Sequence, residues 1–427
     1  MRLIADLHIH SKYSRACSKN LDLPHINQWA KIKGINIVGT GDFTHPYWLK
    51  HLKENLVEDK PGLFKLTPLN PSLNKGGEPE ESVLFMLTTE LSCIYSQGGK
   101  VRRLHICIFS PDFETVDKII AALEKRKVNL KSDGRPIMGL AAIELTKLVL
   151  EANPKAMVIP AHAWTPWFSV FGSYSGFDSL EECFGDQAKH IYSIETGLSS
   201  DPPMNWQLSA LDKITLISNS DAHSPANLGR EANVFEIPES EISYNEICRI
   251  IKEKDKKRFL YTIEFFPEEG KYHWDGHRAC DVCLSPAQSK KLKEICPVCK
   301  KDLTVGVLSR VQELADRTEG FKPDTIGYKS LVPLAEIIAD VVGVGKGSKK
   351  VTQFYLDLIK KGGSEFKVLL DLSSEELNRI TLPEIALAIQ NVRQGKVKVR
   401  PGYDGEYGVV EVLGQNQVIK PKQNSLF

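Results

Sequence analysis

At 427 residues the chain exceeds what one hydrophobic core usually organises, so two or three domains are expected and a mini-protein scaffold is excluded. Lys and Arg number 55 against 54 Asp and Glu, a net +1 that excludes a histone-like polycation and an acidic disordered tail as descriptions of the whole. That total conceals a polarity, because residues 1–240 hold 25 basic against 28 acidic residues (net −3) and residues 241–427 hold 30 against 26 (net +4). Met1 to Asp6 lacks the pattern of a secretory leader, and no stretch approaches the roughly 20 apolar residues of a membrane span, so a soluble, cytoplasmic protein is expected. In a reducing compartment, clustered members of the nine cysteines read as metal ligands, not disulfides.

Seven β-branched or aliphatic runs divide the first 220 residues: Arg2 to His8, Asn36 to Gly41, Val83 to Leu91, Leu104 to Phe109, Ala156 to Pro160, His190 to Ile194 and Lys213 to Asn219. Helical spacing fills the intervals at Pro24 to Lys33, Phe113 to Lys125 and Ala141 to Asn153, the last ending at an Asn-Pro stop. Repeated βα units predict an α/β fold, and a closed (β/α) barrel fits them better than an open sheet. A strand at Asn233 to Ile237 and a helix at Tyr244 to Lys254 follow. The chain then changes character: a four-cysteine segment runs from His273 to Lys301, and helices with Gly and Lys at their turns dominate beyond Ile326.

In such barrels chemistry sits at the C-terminal ends of the strands. Six of the seven runs end in ligand-type residues. D-L-H-I-H supplies Asp6, His8 and His10; G-D-F-T-H supplies Asp42 and His45; T-T-E-L supplies Glu90; P-A-H-A-W supplies His162; I-E-T-G supplies Glu195; and S-N-S-D-A-H-S supplies Asp221 and His223. The fourth run places His105 near its start. One buried histidine is ordinarily a satisfied core residue, but recurrence at equivalent positions of successive units predicts a multinuclear metal site. Imidazole with carboxylate suits Zn, Mn or Fe, and Glu90 can bridge two ions. Glu195 either orients a metal-bound water and accepts its proton or pairs with a nearby Arg or Lys.

Cys280, Cys283, Cys296 and Cys299 form two C-x2-C knuckles separated by twelve residues, the pattern of a closed structural Zn site. Cys17, Cys93, Cys107, Cys183 and Cys248 are scattered. After His162 comes an aromatic loop with Trp164, Trp167, Phe168, Phe171 and Tyr174, either an apolar lid or a stacking pocket for an extruded base. Two apolar helices within residues 331–361 meet at a turn holding Gly345, Lys346, Lys349 and Lys350, either a plain turn or a grip on DNA phosphates.

Residues 1–225, on these strand-end motifs, resemble a PHP (polymerase and histidinol phosphatase) domain, which implies a distorted (β/α)7 barrel holding two or three divalent ions (Zn, Mg or Mn) for phosphoester hydrolysis. The resemblance gives one ion to His8, His10, Glu90 and Asp221, and a second to Glu90, His105 and His162. A third would lie with His223 and one of Asp42 or His45. There the chain departs from the pattern, with G-D-F-T-H for the usual T-D-H and Cys17 where many members carry an Asp or His. The whole chain, through the ribbon and the later P-G-Y-D-G-E-Y-G of Pro401 to Gly408, resembles the endonuclease Q family. That resemblance implies a PHP barrel over 1–270, a zinc ribbon over 271–325 and a mainly helical DNA-binding region over 326–427. It also implies cleavage of DNA 5′ to deaminated bases (uracil, hypoxanthine, xanthine) or abasic sites, leaving a 3′-hydroxyl and a 5′-phosphate, with Glu195, Asp221 and His223 catalytic. Damaged DNA is the implied partner of a nucleoid-associated monomer, with replication or repair proteins as further candidates and no membrane. A histidinol-phosphate-type phosphatase and a non-catalytic DNA-binding scaffold are the alternatives; the ribbon and Lys-bearing helices speak against the first, and the near-full ligand set against the second.

Overall fold

The computed structural model describes residues 1–67 and 82–413; the last fourteen residues of the expected C-terminal region lie outside it. Strand β1 (Arg2–Asp6) divides its apolar residues by parity: Leu3 and Ala5 join a smaller cluster with Leu7, Met86, Ile159 and Ile217, and Ile4 joins the larger core. A helix over Leu23–Lys33 follows. Its first turn is fixed by Pro24 and by the Asp22 carboxylate accepting the His25 N–H at 3.2 Å, and Gly34 ends it at φ 86°. The chain then returns to β2 (Ile37–Gly39), parallel to β1, as a βα unit requires.

The next pairings depart from a uniform βα repeat. A hairpin of β3 (Leu56–Lys60) and β4 (Leu63–Leu66) extends the sheet edge. Strands β5 (Leu84–Gln97) and β6 (Lys100–Ser110) form a long antiparallel hairpin turned at Gly98 and Gly99, φ 60° and 74°. Two residues can join antiparallel strands but cannot hold a parallel crossover, so one expected helical connection is absent. The short β7 (Ile137–Met138) lies parallel on β5, and β8 (Met157–Pro160) is antiparallel to β6. Among the described residues, strands β9 (Ser193–Glu195) and β10 (Thr215–Ile217) pair only with each other, while β11 (Ala232–Glu236) returns antiparallel to β1 and β12 (Phe259–Glu264) antiparallel to β11.

No continuous backbone ladder closes these strands into a barrel among the described residues. The β9–β10 pair is tied to its neighbours by single bonds. The Ala163 N–H donates to the Glu195 carbonyl at 2.9 Å, the Leu7 N–H to Asn219 Oδ1 at 2.8 Å, and Asn233 Nδ2 to the Ser218 carbonyl at 2.8 Å. The architecture is a mixed α/β sheet whose strand ends converge where these side chains bridge the gaps.

Beyond it, β13 (Asp275–His277) and β14 (Val282–Leu284) make a small hairpin, and β15 (Gly327–Ser330) adds to β12 in parallel. Pro401 to Gly408 clasps that hairpin: Trp274 N–H donates to the Gly402 carbonyl, Tyr403 Oη to Asp281, and Arg278 N–H to Asp404. A Cβ on Gly408 would stand 2.1 Å from the Glu268 carbonyl oxygen, so the motif's glycine is dictated by close approach. No helix among the described residues is long and apolar enough to cross a membrane.

The helices over Leu334–Val342 and Lys349–Gly362 match the expected pair and dock through a buried charge. Lys33 Nζ lies 2.7 Å from Glu365, both side chains 5% exposed, and Glu365 also accepts from the Leu334 N–H at 3.0 Å and Tyr355 Oη at 2.6 Å. Removing one partner of a buried pair leaves the other charge uncompensated. Glu365→Ala is therefore expected to lower stability by about 3–5 kcal/mol in urea denaturation, far more than loss of the exposed pair between Lys361 and Asp357.

Candidate metal centre and substrate cavity

Two groups of side chains that share Glu90 converge at the strand ends, and a further group, His8, Cys107 and Glu195, adjoins them. One ligand atom each from His8, His10, Glu90 and Asp221 lie within 4.8 Å of one another, as do those of Glu90, His105 and His162. Glu90 Oε2 is 3.7 Å from His8 Nε2 and 3.3 Å from His10 Nε2, whereas its Oε1 is 2.9 Å from His105 Nδ1 and 3.1 Å from His162 Nε2. Asp221 Oδ1 stands 3.0 Å from His10 Nε2. Both carboxylates are buried, which alone would raise their pKa; His105 with Arg135 and His8 hold Glu90 well below its ordinary range, and His10 with His223 holds Asp221 there. Burial pushes His105 down to about 4, a shift that the neighbouring Glu90 opposes.

The residues fit divalent ions. His8 Nε2 is buried with no hydrogen-bond partner, an orphan that a ligand satisfies. The opposite ring nitrogens are already held: His8 Nδ1 donates to Glu195 at 2.9 Å, His10 Nδ1 lies 3.2 Å from Asp42 Oδ1, and His162 Nδ1 lies 3.1 Å from Ser169 Oγ. Such partners fix the tautomer and aim the free nitrogen at the ion. Asp42, His162 and Asp221 all adopt positive φ (49°, 29° and 46°), backbone strain concentrated where these side chains must be aimed.

The third expected ligand set is not assembled among the described residues. Asp42 accepts the Ser11 N–H at 2.7 Å, Ser11 Oγ at 2.6 Å and Ser14 Oγ at 2.9 Å besides facing His10, so its oxygens are occupied. His45 stacks on Tyr13 at 4.4 Å, and His223 Nδ1 lies 2.8 Å from the Asp221 carbonyl oxygen. Cys17 joins no group, and burial pushes its thiol up to about 12. Glu195 has no Arg or Lys partner among the described residues and pairs instead with His8. Its oxygens accept from His8, the His162 N–H at 3.0 Å and Asn219 Nδ2 at 2.8 Å, and it is 2% exposed.

The aromatic loop divides. Trp164 and Phe171 are core residues, each 1% exposed, with Trp164 Nε1 donating to Asn205 at 2.8 Å. Trp167 and Phe168 instead line a cavity of about 530 Å³ with Arg103, Arg135, Tyr272, His223 and the ligand-group members His105, His162 and Asp221. Tyr174 stacks on Trp167 at 4.8 Å and donates to the Leu303 carbonyl at 2.9 Å, joining the loop to the cysteine segment. Sequence reasoning missed Arg135, Arg103 and Asn219. Asn219 lies two residues before Asp221 in S-N-S-D, a signal that could have found it; the arginines carry no motif.

The ribbon cluster is His277, Cys280, Cys296 and Cys299, not four cysteines. His277 ends β13 opposite Val282, and its Nδ1 lies 3.8 Å from Cys299 Sγ; Cys283 Sγ lies instead 3.9 Å from the Pro401 carbonyl oxygen. Three thiolates and an imidazole form a familiar tetrahedral zinc set. In the helical turn, Ser348 Oγ accepts the Val351 N–H at 3.3 Å, Lys346 pairs with Glu336 at 3.0 Å, Lys349 and Lys350 are exposed, and no atom approaches within 4 Å of where a Cβ on Gly345 or Gly347 would stand.

The fold and the two ligand groups define a mixed α/β protein with a candidate dinuclear metal centre. Two solved structures match it along its length at 34% identity. One is the lesion-specific endonuclease PfuEndoQ from Pyrococcus furiosus, with TM-score 0.83 over 99% of this chain and 98% of that one. The other is endonuclease Q in complex with a 27-mer duplex carrying an abasic lesion at the active site, with TM-score 0.84 over 99% of both chains. The chain belongs to the endonuclease Q family. Residues 333–396 match the MJ0043 C-terminal domain family. The protein MJ0043 of Methanocaldococcus jannaschii is 35% identical over 262 residues, 60% of this chain; the matched part is 32% of that protein's own length.

Two outcomes follow from the geometry. Glu195→Ala is expected to weaken metal binding at the two-group centre about 10- to 100-fold, read by chelator competition, because His8 loses the partner that sets its tautomer. His277→Ala is expected to strip zinc from the ribbon while Cys283→Ser retains it, read as zinc per chain by elemental mass spectrometry.

Proposed function

We propose that the chain is a metal-dependent DNA repair endonuclease that hydrolyses the phosphodiester 5′ to a deaminated base or an abasic site, leaving a 3′-hydroxyl and a 5′-phosphate. The observation that carries this reading is the cavity lined by His105, His162 and Asp221, members of the two ligand groups, together with the half-buried rings of Trp167 and Phe168. Full-length likeness to endonuclease Q with an abasic duplex at its active site supports it.

His8, His10, Glu90 and Asp221 would hold one ion and Glu90, His105 and His162 another, with zinc in the ribbon. Bound there, divalent ions supply a water acidic enough to ionise near neutral pH and positive charge for the departing oxygen. The chain's own part is positioning: Glu195 and Asp42 orient His8 and His10. Trp167 and Phe168 offer ring faces to a nucleoside drawn from the stack, since stacking on aromatic rings offsets stacking lost in the duplex. Gly345, Lys346, Lys349 and Lys350 would grip the backbone away from the lesion. In this reading the strands form a distorted PHP-type barrel over 1–270, followed by the ribbon over 271–325 and the helical region from 326.

The wild-type protein is expected to nick a duplex containing uracil or an abasic site and to leave histidinol phosphate intact. Asp221→Ala is expected to lose at least about 10²-fold in nicking rate. Nicking by Asp221→Ala at the wild-type rate would overturn the metal mechanism. Phosphate release from histidinol phosphate without nicking would favour a phosphatase, and binding without cleavage under any metal a scaffold.

A further inference from the structure

The segment before β7 is pressed against the metal centre from outside the strand-end motifs. Gly134 N–H donates to the Tyr13 carbonyl at 3.0 Å, Asp133 Oδ1 accepts the Arg15 N–H at 3.2 Å and the Arg135 N–H at 3.1 Å, and the Ser92 N–H donates to the Pro136 carbonyl at 3.1 Å. A Cβ at Gly134 would meet Asp42 Oδ2 at 2.2 Å and Ser14 Oγ at 2.3 Å, so only glycine lets the segment lie this close.

The consequence is the position of the next side chain. Arg135 Nη1 donates at 2.9 Å to Glu90 Oε2, the same oxygen that faces His8 and His10. A carboxylate oxygen accepts more than once, so this bond leaves Glu90 able to serve the histidine side. The other guanidinium nitrogens have no hydrogen-bond partner among the described residues, the side chain is 22% exposed, and it lines the cavity beside Asp221, His223, His105 and His162. An arginine that served only to brace Glu90 would have no need to present a free fork to the substrate cavity.

We propose that Arg135 is a catalytic residue: its guanidinium supplies a third positive centre beside two metal ions, and its free N–H groups bind a non-bridging oxygen of the scissile phosphate. The inference rests on the phosphodiesterase reading above. It accounts for the chain's departure from the three-ion pattern, since Asp42, His45, Cys17 and His223 do not gather into a ligand set. The planar fork matches a phosphate in two-point contact, and its charge is always present, needing no ion to be loaded. No bond to Arg135 forms or breaks; the side chain stabilises charge that grows on the phosphoryl oxygens during attack.

The test uses the metal-loaded full chain and its Arg135→Lys, Arg135→Gln and Arg135→Ala variants. Three readings are taken: metal content per chain, single-turnover nicking of an abasic-site duplex, and affinity for inorganic phosphate. The wild type is expected to hold two ions beyond the ribbon's one. Arg135→Gln is expected to keep both, to nick about 10²- to 10³-fold more slowly, and to bind phosphate at least about tenfold more weakly. Arg135→Lys should fall between, and added guanidinium should restore part of the rate of Arg135→Ala, which a merely structural role would not allow. Three ions in the two-group centre, a wild-type rate in Arg135→Gln, or a rate loss wholly matched by metal loss would overturn the proposal. Should Arg135→Gln fail to fold, Arg135→Lys decides, wild-type turnover and phosphate affinity there sinking the idea. A wild type that binds phosphate through Arg135 but cuts no duplex would sink the endonuclease reading and the catalytic role with it, leaving only the phosphate contact.

Discussion

Glu90 is a carboxylate with no exposure to solvent, and such a charge is tolerated only if several opposite partners surround it. Here the partners come from every quarter of the sheet: His8 and His10 from β1, His105 from β6, His162 from beyond β8, and Arg135 from the segment before β7. None of these can be placed without the others. The strain at Asp42, His162 and Asp221 and the close approach of Gly134 are the backbone's accommodation to that single demand.

Much of this was legible beforehand because strand alternation and strand-end position are local properties. The strand-end residues of D-L-H-I-H, Glu90, His162 and Asp221 were legible in this way, whereas their division into two groups came with the family resemblance; the structure brings the ligand atoms of each group within 4.8 Å of one another. The β5–β6 hairpin was written in Gly98-Gly99, a turn signal overshadowed by the expectation of one helix per strand. The bridging of gaps between strands by the side chains of Asn219 and Asn233 was not legible, because a lone asparagine has no periodicity. Nor was the exchange of His277 for Cys283: the C-x2-C spacing dominates any reading of that segment, whereas the exclusion of Cys283 depends on Pro401, 118 residues away. For the same reason Asp42 read as a ligand, since its serine partners are set by a turn, not by a motif.

The charge division also acquires a physical meaning. The acidic excess of the front half includes carboxylates turned inward and neutralised by imidazole and guanidinium, so it contributes little to the outer field. Lys349 and Lys350, by contrast, stand exposed on the helical turn. A near-neutral total is therefore compatible with a surface that attracts a polyanion at one end.

The clasp of Pro401 to Gly408 on the cysteine hairpin has a consequence for biosynthesis. Tyr403 and Asp281, which it joins, lie 122 residues apart in the chain. At about 5–20 residues per second, roughly ten seconds pass between their emergence from the ribosome. Throughout that interval His277, Cys280, Cys296 and Cys299 are present while the clasp is not. During that interval the hairpin has only its own backbone pairing and these four side chains to draw on, and the contacts of Pro401 to Gly408 are added last.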